Sequence, residues 1–136
     1  MKILHSRYLE VPDGLRARLD EAARAEFEQY AIVRETEWAS PDFTFIAMEG
    51  NQVAAHYNLV DRVVSVDGAP VRVAGLNNMV TMPTHRGRGI ASALLRESQP
   101  AWFDDLGQDL PVFHHPYRKR IAVVSLRAGG AMKRRR

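Results

Sequence analysis

The sequence predicts an α/β (α+β) domain, with a mixed, mainly antiparallel central sheet flanked by helices. Three observations carry that expectation. Three β-rich runs are joined by two short turn signals, "GN" at 50–51 and "DGAP" at 67–70, which is the spacing of an antiparallel meander. From Gly89 onward the apolar period lengthens to that of a helix. A further apolar run at 109–115 then offers a strand parallel to the one before that helix, by a right-handed crossover.

Taken in order, "ILHSRYLEV" (3–11) alternates loosely and reads as a first strand. "PDG" breaks it, and Leu15, Leu19, Ala22, Phe27 and Tyr30 then recur at three-to-five-residue steps. That is one apolar stripe on a helix of about four turns, with Asp13 placed to cap it. "DFTFIAME" (42–49) is aromatic and β-branched, hence a strand, and "QVAAHYNLVDRVVSV" (52–66) and "VRVAGLNNMVTM" (71–82) complete the meander. "GIASALLRESQPAWFDDLG" from Gly89 is helical, with Ile90, Leu94 and Leu95 facing inward and Pro100 expected to kink or divide it. "DLPVFHH" (109–115) is the last strand of a β-α-β-β-β-α-β order.

Composition sets the class. The chain has 136 residues, 46% of them hydrophobic and 26% charged, as in an ordinary globular domain that buries about two thirds of its unfolded surface. It contains no cysteine, which excludes disulfides and thiolate ligands, and no metal site is expected. No apolar run approaches the roughly 20 residues that span a bilayer. With no signal-like N-terminus either, the expectation is a cytoplasmic protein without a membrane partner.

Charge is divided sharply. Residues 1–115 hold 11 basic and 16 acidic side chains, a balance of −5, whereas residues 116–136 hold eight basic and no acidic ones. The sequence therefore divides into a domain over 1–115 and an atypical basic tail over 116–136. The pI of about 9.6 is set by that tail, which reads as a solvated end rather than a nucleic-acid site.

The stretch "VTMPTHRGRGIASALL" (80–95) raises the functional question. Pro83 ends strand pairing because it has no N–H to give. Gly87 and Gly89 open backbone conformations closed to other residues and let a ligand come near. The first amides of the following helix lack internal partners, and the helix dipole adds positive potential there. With Arg86 and Arg88 alongside, and small Ala91 and Ser92 in the first turn after Ile90, the pattern suits a di-anion such as a pyrophosphate. It is neither the G-x-G-x-x-G dinucleotide fingerprint nor a Walker loop.

"MPTHRGRGIASALL" resembles the acetyl-CoA-binding signature of the GNAT superfamily of N-acetyltransferases. The core of that signature is Arg or Gln, two residues, Gly, one residue, then Gly or Ala. Here it is Arg86-Gly87-Arg88-Gly89-Ile90-Ala91. Residues 55–75, "AHYNLVDRVVSVDGAPVRVAG", are similar in spacing to the aminoglycoside 2'-N-acetyltransferases. The resemblance covers roughly residues 1–115. It implies the acyl-CoA N-acyltransferase fold, with acetyl-CoA as cosubstrate and a primary amine as acceptor. It also implies that amides 87–92 hold the pyrophosphate, and that the strand segment Met79, Val80, Thr81, Met82 pairs with the pantetheine arm. A main-chain N–H near Val80 would face the thioester carbonyl.

The proton carriers are less well marked. Members of this superfamily often place a Glu before the pyrophosphate loop as base, but "GLNNMVT" has Asn77 and Asn78 instead. Asn77 can position a water or a substrate but accepts no proton at neutral pH. His56, on the neighbouring strand, is the base candidate by residue type; Glu49, at a hairpin end, reads as a solvated carboxylate. The family's general acid is a Tyr after the next strand, and Tyr117 is the candidate here. From that tyrosine to the C-terminus the stretch "YRKRIAVVSLRAGGAMKRRR" departs from the family pattern, so the last strands are not met in their usual form. An unpaired edge there invites a homodimer. Glu35, Glu37 and Asp42 around Trp38 would suit a cationic amine. Two functions stay open on this reading: an N-acetyltransferase of small-molecule or peptide amines, or a CoA-binding module with little activity.

Overall fold

The computed structural model describes residues 1–31 and 40–106. The expected strand at 109–115, Tyr117, the basic tail, and Glu35, Glu37 and Trp38 lie outside the described residues. The order is β1 (Lys2–Arg7), a 3₁₀ turn (Tyr8–Glu10), α1 (Asp13–Phe27), β2 (Phe43–Glu49), β3 (Gln52–Val66), β4 (Ala69–Thr81), a second 3₁₀ turn (Pro83–His85) and α2 (Ile90–Leu106). The four strands form one antiparallel sheet in the order β1-β2-β3-β4, each beside its sequence neighbour.

The meander follows from its turns. Asp67 and Gly68 both take positive φ, +49° and +81°, the pair of left-handed residues that a two-residue hairpin requires. β2 pairs with β3 only as far as Phe43 opposite Leu59, so the rest of β3 and its partner in β4 project as a two-stranded ribbon. Asp42 fastens the base of that ribbon, accepting the Asp61 N–H at 2.7 Å and pairing with Arg62 at 3.5 Å.

Each face of the sheet buries one helix. On one face lie Phe45, Tyr57 and Leu59, covered by Ile90, Leu94 and Trp102 of α2. An aromatic row crosses the strands in register here: His5 stacks on Phe45 (5.4 Å), Phe45 on Tyr57 (5.0 Å), and Trp102 meets Tyr57 edge-on (6.2 Å). On the other face α1 buries Leu19, Ala23 and Phe27 against Ile46, Val53 and Val80. A buried side chain such as Leu94, with no exposed area, contributes about 2–3 kcal/mol.

Three expectations are corrected. β1 ends at Arg7 instead of running to residue 11, because the chain turns at Tyr8–Glu10 and brings Val11 under α1. Asp13 is the first residue of α1, not its cap; its carboxylate accepts from Arg16 at 2.7 Å. It still sits favourably at the positive end of the helix. Pro100 does not divide α2, which runs unbroken through it. Pro100 is exposed, while Ser98 and Trp102 on either side are buried, and their anchorage offsets the lost main-chain bond, a cost of about 3 kcal/mol. Among the described residues no helix is long and apolar enough to cross a membrane.

Candidate active site at the β4–α2 turn

The end of β4 and the start of α2 are fixed by their packing. Val80 (4% exposed) is wedged under Ala23 and Phe27 of α1, whereas Ile90 and Leu94 lock α2 onto the opposite face. Between them the chain makes a tight passage. Met82 donates its N–H to the Ala54 carbonyl at 2.8 Å, and His85 donates to the Met82 carbonyl at 2.9 Å.

Gly87 and Gly89 then take φ of +75° and +72°. A Cβ added at either would meet nothing within 4 Å, so backbone conformation, not crowding, demands glycine there. The same open space leaves both peptide planes accessible to a ligand. The first internal bond of α2 is Ala93 N–H to the Gly89 carbonyl, 3.0 Å. The amides of Ile90 and Ala91 therefore precede the helical ladder, at the positive end of the dipole. Among the described residues, none of Gly87, Arg88 and Gly89 gives its N–H to a main-chain acceptor. The turn thus fits an anionic diphosphate, as its sequence suggests.

The arginines are held differently from the expectation that they simply flank the anion. Arg86 donates Nε to the Thr81 carbonyl (3.1 Å) and Nη2 to Glu26 of α1 (3.0 Å). Arg88 donates Nη2 to both oxygens of Glu49, at 3.2 and 3.0 Å. Glu49 is therefore engaged, not merely solvated. Buried His85 adds a 4.0 Å approach to the same carboxylate and is itself held by Thr84 at Nδ1, 2.9 Å.

β4 bears a bulge beside this turn. Asn77 lies opposite Asn58 and Val80 opposite His56, so β4 carries one residue more than β3 over this span. Asn78, in the bulge, takes the left-handed conformation (φ +53°), which Asn tolerates better than most residues. Beyond the bulge the ladder alternates. Met82 donates to β3, so Val80 faces β3 as well, and the main-chain groups of Thr81 face the other edge. Among the described residues β4 is an edge strand. The outward amide near Val80 is accordingly that of Thr81, because Val80's own is turned inward.

His56 and Asn77 lie on neighbouring strands, on the α1 face of the sheet, Asn77 opposite Asn58 and not His56. Asn77 is 8% exposed, and its cross-strand neighbour Asn58 accepts from the Thr44 hydroxyl at 2.9 Å. His56 is 1% exposed and lies opposite Ile46 and Val80. Burial pushes its pKa down to about 4, and among the described residues neither ring nitrogen meets a hydrogen-bond partner. So enclosed and with its pKa lowered, His56 in this conformation is poorly suited to serve as the neutral-range base expected from its residue type. Asp42, expected to face an acceptor, is occupied by Asp61 and Arg62. Glu26 was not singled out in the sequence, and the parts played by Glu49 and Asn78 were not legible there. Their roles depend on partners 39 to 60 residues away or on a bulge, and no local pattern announces either.

An antiparallel meander followed by a strand–turn–helix passage, with a helix on each face, matches the acyl-CoA N-acyltransferase architecture. The family model for the acetyltransferase (GNAT) domain matches residues 14–121, and the chain belongs to that family. Acetyltransferases of this family use acetyl-CoA as donor.

The fold is shared with an acyl-CoA N-acyltransferase from Pseudomonas aeruginosa (19% identity, 79% of this chain and 72% of that one, TM-score 0.56). It is also shared with an aminoglycoside acetyltransferase from an uncultured soil metagenomic sample (13%, 76% and 72%, TM-score 0.53). A predicted acetyltransferase from Clostridium acetobutylicum, solved with acetyl-CoA, is similar as well (15%, 88% and 84%, TM-score 0.50). No curated protein matches the chain.

Proposed function

We propose that this chain moves the acetyl group of acetyl-CoA to a primary amine of a small molecule, aminoglycoside-like, or of a peptide, by direct attack. The observation that carries the reading is the pair of left-handed glycines around Arg88, set between an edge strand and the first amides of α2. Amides 87 to 91 donate to the diphosphate, with Ser92 completing the first turn. The outward main-chain groups around Met79–Met82 pair with the amide-bearing arm, and the Thr81 N–H lies on the side where the carbonyl oxygen gathers charge. The amine attacks in its neutral form: its nitrogen bonds the acetyl carbon, the carbon–sulfur bond breaks, the nitrogen releases one proton to water and the departing sulfur takes one.

Asn77 is assigned to positioning a water or the amine, and Tyr117 to supplying the proton. Thiol release from acetyl-CoA across a panel of amines tests the reading, alongside calorimetry of CoA on native protein and on Gly89→Val. Turnover with native protein, and loss of CoA binding in the variant, is the expected result. Absence of CoA uptake by folded native protein overturns it.

A second reading is favoured by one observation, the enclosure of His56 beside a bulge with two asparagines and no carboxylate. On that reading the chain binds CoA with little turnover. Heat-stabilisation by CoA without thiol release with any amine is its signature.

A further inference from the structure

Arg88 stands between the two glycines of the turn, and its side chain reaches a carboxylate at the far end of another strand. Glu49 is the last residue of β2, next to the Gly50–Asn51 hairpin turn, and both its oxygens accept from Arg88 Nη2, at 3.2 and 3.0 Å. The carboxylate is only partly exposed, at 32%. His85, the last residue of the 3₁₀ turn, backs it at 4.0 Å and is itself buried and bonded to Thr84.

We propose that Glu49 is a positioning residue for diphosphate binding, acting through Arg88; this rests on the reading that the turn takes the diphosphate of acetyl-CoA. Glycine has more backbone freedom than any other residue, and two of them around one arginine would leave the intervening peptides to wander. Holding residue 88 by its side chain restricts the peptide planes on both sides, and those planes carry the amides offered to the anion. Binding then spends less on ordering the turn. The charge of Arg88 is already answered by Glu49, so its service to the anion is mechanical more than Coulombic. Arg86, tied to Glu26 and to the Thr81 carbonyl, fixes the entry of the same turn to α1.

The test uses the full chain as native protein and as Glu49→Ala, Glu49→Gln, Arg88→Ala and the Glu49→Ala/Arg88→Ala double variant. Amide hydrogen exchange is read without ligand and CoA affinity by calorimetry, with thermal melting to verify folding. Glu49→Ala should speed exchange at residues 86–91 while sparing β3, and weaken CoA about three- to fivefold, the scale of a partly exposed ion pair. Glu49→Gln, which keeps the shape and one acceptor oxygen, should fall between. The double variant should be no worse than Arg88→Ala alone, because the two residues act as one device.

Unchanged or tighter CoA binding in Glu49→Ala overturns the proposal, since the carboxylate would then be inert or merely repel the anion. Additive losses in the double variant overturn it too. Native protein that binds CoA while the variants behave normally removes only the role of Glu49. Native protein that binds no CoA removes the functional reading, and the exchange data still decide whether Glu49 holds the turn.

Discussion

Trp102 donates its indole N–H to the Tyr57 hydroxyl at 2.8 Å, fastening α2 to the middle of β3. The same hydroxyl bonds the Ser98 hydroxyl one turn earlier in α2, and Ser98 in turn donates to the Leu94 carbonyl at 2.6 Å. Burial pushes the Tyr57 pKa up to about 12, so the phenol stays neutral and available to both partners. Tyr57→Phe leaves a buried N–H without its acceptor and should cost about 1–3 kcal/mol. A lower urea midpoint at unchanged slope is the expected reading.

His56 should make the fold acid-sensitive. Its pKa is about 4 in the folded chain against 6.5 ordinarily, so between those values the unfolded chain binds a proton that the folded one refuses. Stability therefore falls as pH drops from 6.5 to 4, by up to about 3 kcal/mol from this group alone. His56→Leu should flatten that limb relative to native protein in denaturation curves taken across the window. Equal acid sensitivity in both proteins would remove His56 as the cause.

Gly87→Ala forces a Cβ into φ +75° with open space around it. The penalty is then purely one of backbone, about 1–2 kcal/mol. Because the turn is open, the free variant relieves the strain by relaxing and meets the penalty only on re-forming the shape for CoA, so affinity should drop about tenfold with little loss of thermal stability. Calorimetry on the two proteins decides it.

Asn78 gives the matching control on β4. Asn78→Gly should be neutral, because glycine accepts φ +53° freely, whereas Asn78→Val should destabilise by about 1–2 kcal/mol. Denaturant midpoints of the two variants test this. Equal effects would mean that the bulge does not rest on that conformation.

Much of this scaffold can be read from local chemistry. The bounds of β3 follow from "GN" before it and "DG" after it, and the start of α2 from Gly89, because glycine and turn residues announce backbone conformations within a few positions. The turn at Gly87 and Gly89 was legible for the same reason, both glycines taking positive φ. The features hidden from sequence are those that depend on distance along the chain. Periodicity finds a half-buried strand at His56 but does not say that α1 will close over that particular side chain. Arg88 and Glu49 are joined only once the meander has brought them together. Pro100 reads as a breaker because local propensity omits Ser98 and Trp102 gripping the sheet on both sides of it.

Among the described residues, every strand of this sheet lies beside its immediate predecessor in the chain. Two of the sheet's three connections are tight hairpins and the third carries α1, so each strand finds its neighbour among residues already synthesised. By the time the ribosome reaches Gly87, the residues that will seat the turn, Ala54, Glu26 and Glu49 among them, are already made. The turn between β4 and α2 thus takes its side-chain anchors from elements that precede it, while α2 has still to close one face of the sheet.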